Sequence, residues 1–133
     1  MRRLHLLRHA KSSWGDPALP DHDRPLAPRG MRAAARLAGW IEESDVRPQL
    51  VLCSTAVRAR ATLALVAASL DEPASLLEDG LYHAAAAGLL ERIRDIDDVV
   101  EEAMLVGPNP GLQDLCLLLA GASPERDRVT GKL

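Results

Sequence analysis

The chain has 133 residues, 47% of them hydrophobic and 26% charged, with a net charge of −3. That is enough apolar material for one domain, residues 1–133, to bury a core, and it excludes a disordered chain. Phenylalanine is absent, and Trp14, Trp40 and Tyr82 are the whole aromatic complement, so Ala, Leu and Val must fill the interior. No apolar run is as long as a membrane span, and the opening "MRRLHLLRHAK" carries charge throughout, unlike a secretory leader. No membrane partner is expected. Cys53 and Cys116 both lie in apolar runs, as reduced core thiols of a cytoplasmic protein would.

The charge is unevenly spread. Residues 1–36 hold eight Arg or Lys against three Asp, whereas the remainder holds eight against sixteen Asp or Glu. The basic part has almost no interleaved aromatics, so nucleic acid is not the expected partner. A small anion held near the N-terminal loop fits better. Arg2, Arg3, Arg32 and Arg36 are expected to be solvated surface residues.

In chain order, residues 2–8 alternate imperfectly and predict a strand, expected in the centre of a sheet. Residues 9–28 form a loop rich in Pro and Asp, long enough to suggest function. Over 29–44, Met31, Ala34, Ala35, Leu37, Ala38 and Ile41 fall at helical spacing. "QLVLCS" at 49–54 predicts a short buried strand. A helix over 55–70 follows at once, with Ser54 or Thr55 as its expected cap. A strand near Leu76–Glu78 leads through the loop "DGLYHAAAAG" to a helix ending about Ile96. "AMLVG" at 103–107 predicts a strand, and "GLQDLCLLLAG" a helix closed by Gly121. Alternating strands and helices predict a three-layer α/β/α sandwich on a mainly parallel sheet. In such sheets ligands bind beyond the carboxyl ends of the strands. Arg8–His9, Ser54–Arg58 and Gly107–Asn109 all lie just past strand ends and should converge there.

An apolar run that ends on Arg8 and His9 has chemistry at its tip. A neutral imidazole is a nucleophile near pH 7, and arginines bind phosphoryl oxygens through a planar fork of donors. Arg58 stands one turn into a helix, where free amides and the dipole also favour an anion. Alone, His9 would be a buried core histidine and Arg58 a surface arginine; together they point to a phosphoryl site. A cysteine-based phosphatase needs five residues between Cys and Arg, but four separate Cys53 from Arg58 and six separate it from Arg60. No phosphate-binding G-x-x-x-x-G-K-[ST] loop or dinucleotide G-x-G-x-x-G fingerprint occurs. Asp21–His22–Asp23 lacks metal-ligand spacing, and His22 is expected to be solvated.

"LLRHAKSSW", "DHDRPLAPRG", "CSTAVRARAT" and "LVGPNPGL", in that order, resemble the histidine phosphatase superfamily, and within it the SixA-like phosphohistidine phosphatases. The resemblance implies the phosphoglycerate mutase-like sandwich, no cofactor and no metal. It implies that His9 takes the phosphoryl group covalently, with Arg8 and Arg58 lining the phosphate pocket. "DHDRPL" would form the rim, and Arg24 and Ser13 would contact substrate. A phosphorylated protein, carrying phosphohistidine, or a small phosphorylated compound would be the partner. Two departures stand out. The family's second histidine, in V-G-H-N-P-G, is replaced by Pro108, which has neither imidazole nor backbone N–H. His83, in "LYHAAAAG", lies in a loop able to approach the site and substitute. The family pattern also continues into another strand after a segment like "VTGKL"; a stop at Leu133 would leave the sheet a strand short, unless the sequence is a truncated one. Other branches place a carboxylate acid after the third strand, where Glu78 and Asp79 are the candidates. The alternative to an enzyme is a phosphate- or phosphoprotein-binding domain impaired in turnover by Pro108. A related phosphomutase would need insertions this short chain lacks.

Overall fold

Four parallel strands alternate with four helices in a computed structural model that describes residues 1–121. The elements are β1 (Arg3–Arg8), α1 (Pro28–Glu43), β2 (Leu50–Ser54), α2 (Val57–Val66), β3 (Ala74–Glu78), α3 (Ala86–Arg94), β4 (Glu102–Gly107) and α4 (Gly111–Ala120). Short 3-10 turns cover Asp21–Asp23, Ala67–Leu70 and Asp79–Leu81. The segment after Gly121, which the family pattern would carry into a further strand, lies outside the described residues.

Period-two alternation in the strands builds the two cores. Leu7, Val51, Cys53, Met104 and Val106 face one way and pack with Ile41 of α1 and Ala59, Leu63 and Val66 of α2. Leu52, Ala103 and Leu105 face the other way and pack with Leu89 and Ile93 of α3 and Leu112 and Leu115 of α4. This is the expected three-layer sandwich. Leu105 sits 1% exposed in the second core, where truncating a leucine to alanine costs about 2–5 kcal/mol.

The sheet order is β1-β4-β2-β3. The strand expected to be central, β1, therefore pairs with β4 alone among the described residues, in register from Arg3 with Glu102 to Arg8 with Gly107. The polar Arg3, His5 and Arg8 suit that place. The inner position belongs to β4, whose residues 103–107 are all buried. The buried face of α1 is narrower than the expected one: Ala34 and Ile41 are buried and Leu37 and Ala38 pack against the core, but Met31 is 46% exposed. Neither Ser54 nor Thr55 caps α2, whose N-cap is Ala56. The Ser54 hydroxyl accepts from the Ala56 N–H, and Thr55 turns to other partners.

Two glycines permit close backbone approaches. A Cβ on Gly30 would stand 2.2 Å from the Lys11 carbonyl oxygen, so only glycine lets α1 lie against the start of the long loop. A Cβ on Gly111 would stand equally close, 2.2 Å, to the carbonyl oxygen of Ala84 in the β3–α3 connection. These contacts bring the long loop and the β3–α3 connection to the carboxyl edge of the sheet. Cys53 and Cys116 are free thiols. Burial pushes the Cys53 thiol up to about 12, which keeps it protonated and inert. No helix among the described residues is long and apolar enough to cross a membrane.

Candidate active site

The carboxyl edge of the sheet carries a cavity of about 350 Å³ lined from the ends of β1 and β4, the long loop, the β3–α3 connection and α2, which supplies Arg58. Arg8, His9 and Lys11 come from the end of β1, Asp21 and Arg24 from the long loop, His83 from the β3–α3 connection, and Pro108 and Asn109 from the turn after β4. Convergence of the three predicted strand ends is thus observed. Four cationic side chains and one carboxylate share the lining, which favours an anion.

His9 is fixed on both ring nitrogens. Its Nδ1–H donates to the Ala10 carbonyl at 2.8 Å, which leaves the lone pair on Nε2, and Nε2 accepts from Arg58 Nε–H at 3.2 Å. Burial lowers the pKa of the imidazole below its ordinary value, and the nearby charges of Arg58, Arg8 and Arg24 lower it further against the raising effect of the Ala10 carbonyl. The ring is therefore neutral at pH 7. The following peptide is also anchored: Ala10 N–H donates to Thr62 Oγ1 at 2.9 Å, and that hydroxyl donates to the Arg58 carbonyl at 2.7 Å.

Arg58 is 4% exposed. Beyond His9, its Nη1 donates to the Asp21 carbonyl, and its Nη2 to Asp21 Oδ2 at 2.9 Å. Asp21 also accepts from Tyr82 OH at 2.6 Å and from Arg24 Nε at 3.1 Å. The Tyr82 hydroxyl, then Arg58 and Arg24, hold the Asp21 carboxyl well below the usual carboxylate range. Arg8 differs. It is exposed, and no hydrogen bond or ion pair engages its side chain among the described residues. It also borders a second cavity, of about 270 Å³, whose lining includes Arg36 and Leu37.

The remaining candidates sort differently from expectation. Arg24 lines the cavity, but its donors are committed inside the loop: to Asp21, to Ser12 Oγ at 2.9 Å and to the Ser13 carbonyl. Its guanidinium lies 3.5 Å from the centre of the Trp14 ring. It shapes the loop that presents Asp21. Ser13 is absent from the cavity lining; its hydroxyl accepts from Gly15 N–H, and Ser12 takes the lining position instead. Glu78 is clamped by Arg92 through 2.7 and 2.8 Å hydrogen bonds and lies off the cavity. Asp79 accepts from Thr55 Oγ1 at 2.7 Å and is likewise off the lining. His22 is not a solvated side chain, because its Nε2 meets Thr55 Oγ1 at 2.9 Å and its ring packs edge-on against Tyr82. Asp21 and Tyr82 are the residues that motif spacing missed. The only local signal was an acid three residues before Arg24 in a proline-bounded turn.

Comparison with known proteins defines the class. The model of the histidine phosphatase superfamily (branch 1) matches residues 4–88. The chain belongs to that superfamily. More narrowly, it is SixA-like: a structure from Agrobacterium tumefaciens, assigned as the phosphohistidine phosphatase SixA, superposes with a TM-score of 0.88 at 30% identity, covering 98% of this chain and 84% of that one. A SixA protein histidine phosphatase solved with tungstate superposes at 0.74, with 23% identity, over 88% of this chain and 74% of that one, which shows the shared fold. An uncharacterized protein of Mycobacterium tuberculosis is 44% identical over 117 residues, 88% of this chain and 72% of that protein.

Proposed function

We propose that the protein is a phosphatase that hydrolyses a phosphoryl group, with protein phosphohistidine as its substrate, through a covalent intermediate on His9. The observation that carries this reading is the fixed tautomer of His9, whose Nε2 lone pair faces a cationic cavity beside Arg58. The Nε2 lone pair attacks phosphorus in line as the bond to the leaving group breaks. Arg58 Nε–H turns from Nε2 to a phosphoryl oxygen, and Arg8, which has no partner among the described residues, closes on another. Asp21 keeps the Arg58 guanidinium oriented through this exchange. Water then attacks the phosphorylated imidazole, the N–P bond breaks and inorganic phosphate leaves. The tungstate held by the SixA relative is a tetrahedral oxyanion of the phosphate class and supports an anion of that kind here.

The test is phosphate release from a phosphohistidine peptide and from an aryl phosphate, with His9→Ala beside the parent. Release by the parent and none by a folded His9→Ala upholds the mechanism; equal release by both overturns it. Pro108, which lines the cavity without an N–H donor, favours the second reading, a phosphoprotein-binding domain. That reading is supported if the parent binds tungstate but releases no phosphate.

A further inference from the structure

Transfer to His9 leaves a second question: which group protonates the departing atom. Among the titratable side chains that line the cavity, most are unsuited. Arginines do not release a proton near neutral pH, which removes Arg8, Arg24 and Arg58. Asp21 is ionised under its three donors and can only accept. His9 supplies the attacking lone pair. A lysine ammonium is a far weaker acid than an imidazolium, which disfavours Lys11. His83 remains.

Its placement is specific. His83 holds a left-handed backbone at φ 56°, a conformation uncommon for residues other than glycine though favoured more by histidine than by most. The next residue, Ala84, lies close against Gly111, where a Cβ would stand 2.2 Å from its carbonyl oxygen. The imidazole lies 4.0 Å from the Tyr82 ring, centre to centre, and its Nε2 stands 3.5 Å from Asp21 Oδ2. That oxygen also accepts from Arg58, which in turn touches His9 Nε2, so one carboxylate links the two histidines through a single guanidinium. The side chain is 65% exposed and shares the cavity lining with Pro108 and Asn109, leaving it free to meet a leaving group.

We propose that His83 is the general acid of this site, acting from the β3–α3 connection on the leaving group of the phosphatase reaction, and the inference rests on that reading. In the first step, His9 Nε2 bonds to phosphorus, the bond from phosphorus to the leaving oxygen or nitrogen breaks, and a proton passes from His83 to that atom. Because Nε2 faces the Asp21 carboxylate, Nδ1 is the nitrogen that exchanges. In the second step, neutral His83 takes a proton from the attacking water as the N–P bond of the intermediate breaks. An acid here extends the substrate class to phosphate esters with poor leaving groups, whose oxyanions need the proton most.

The test compares the parent with His83→Ala and His83→Asn on aryl phosphates running from dinitrophenyl to phenyl phosphate. Asparagine tolerates the left-handed backbone and can hydrogen-bond but cannot deliver a proton. Both variants are expected to slow breakdown of the intermediate on every substrate, whereas kcat/KM, which reports transfer to His9, should fall least on dinitrophenyl phosphate and roughly a hundredfold or more on phenyl phosphate. The slope of log(kcat/KM) against leaving-group pKa would steepen accordingly. An equal loss of kcat/KM across the series would make His83 a phosphoryl-binding group, and no loss, or full rescue by asparagine, would make it a structural one; each overturns the proposal. Parent turnover with an inert His9→Ala upholds the phosphatase reading whatever His83 does, and a parent inert on every substrate overturns both.

Discussion

The two walls of the cavity are built differently. On one, Arg58, Asp21, Arg24 and Tyr82 are cross-linked by hydrogen bonds of 2.6 to 3.2 Å, and His9 is held at both nitrogens. On the other, His83 meets Asp21 only at 3.5 Å, packs against the Tyr82 ring at 4.0 Å and is mostly exposed beside Pro108 and Asn109. The first wall is organised before any ligand arrives, as stabilisation of a transferring phosphoryl group requires. The second is left adjustable, which suits contact with leaving groups of different size. Arg8 belongs to neither network and supplies a cation that an incoming anion can recruit without breaking a pair among the described residues.

Substitutions separate the walls. Arg58→Ala should have the largest effect, a fall in kcat/KM of at least a hundredfold to a thousandfold, because a donor to the phosphoryl group disappears. It should also cost about 1–3 kcal/mol in stability as Asp21 and the His9 ring lose their partner, measurable by denaturant unfolding. Gly111→Ala should act on the second wall alone. Its Cβ would collide with the Ala84 carbonyl, so a loss of about 1–3 kcal/mol is expected, with turnover falling further than tungstate affinity. An equal fall in both would mean that the walls are not separable.

The smallest effect is expected from acid. The folded-state pKa of Asp21 is depressed below the ordinary value of about 3.9. Its stabilising contribution is therefore present above that pH and is lost as pH falls through the folded value. Asp21→Asn should be less stable than the parent at neutral pH, and the gap should close on acidification below about pH 4. A gap that stays constant into acid would show that the charge of Asp21 is not what the first wall uses.

The order of strands and helices was legible because it rests on local periodicity, as with "QLVLCS" and the stripe through Ala34 and Ile41 of α1. The edge position of β1 among the described residues was not, since its pairing depends on β4, with Arg3 opposite Glu102. Arg8, His9 and Arg58 stood out because each follows a strand. Asp21 did not, because its partners Arg58 and Tyr82 are brought to it only by the fold. Glu78 looked available in sequence, and the fold gave it to Arg92. Thr55, expected to cap α2, instead joins His22 to Asp79, a polar bridge across three separate loops that no local pattern encodes.

Thr62 never borders the main cavity, yet its single hydroxyl joins the peptide after His9 to the backbone of Arg58. The spacing between nucleophile and cation is therefore a property of one buried oxygen that accepts and donates at once. Serine could serve there; valine, the same shape without the oxygen, would leave a buried N–H unanswered. The tolerance of position 62 to mutation is thus governed by hydrogen-bond valence and not by size, at a place where a contact map of the ligand would show nothing.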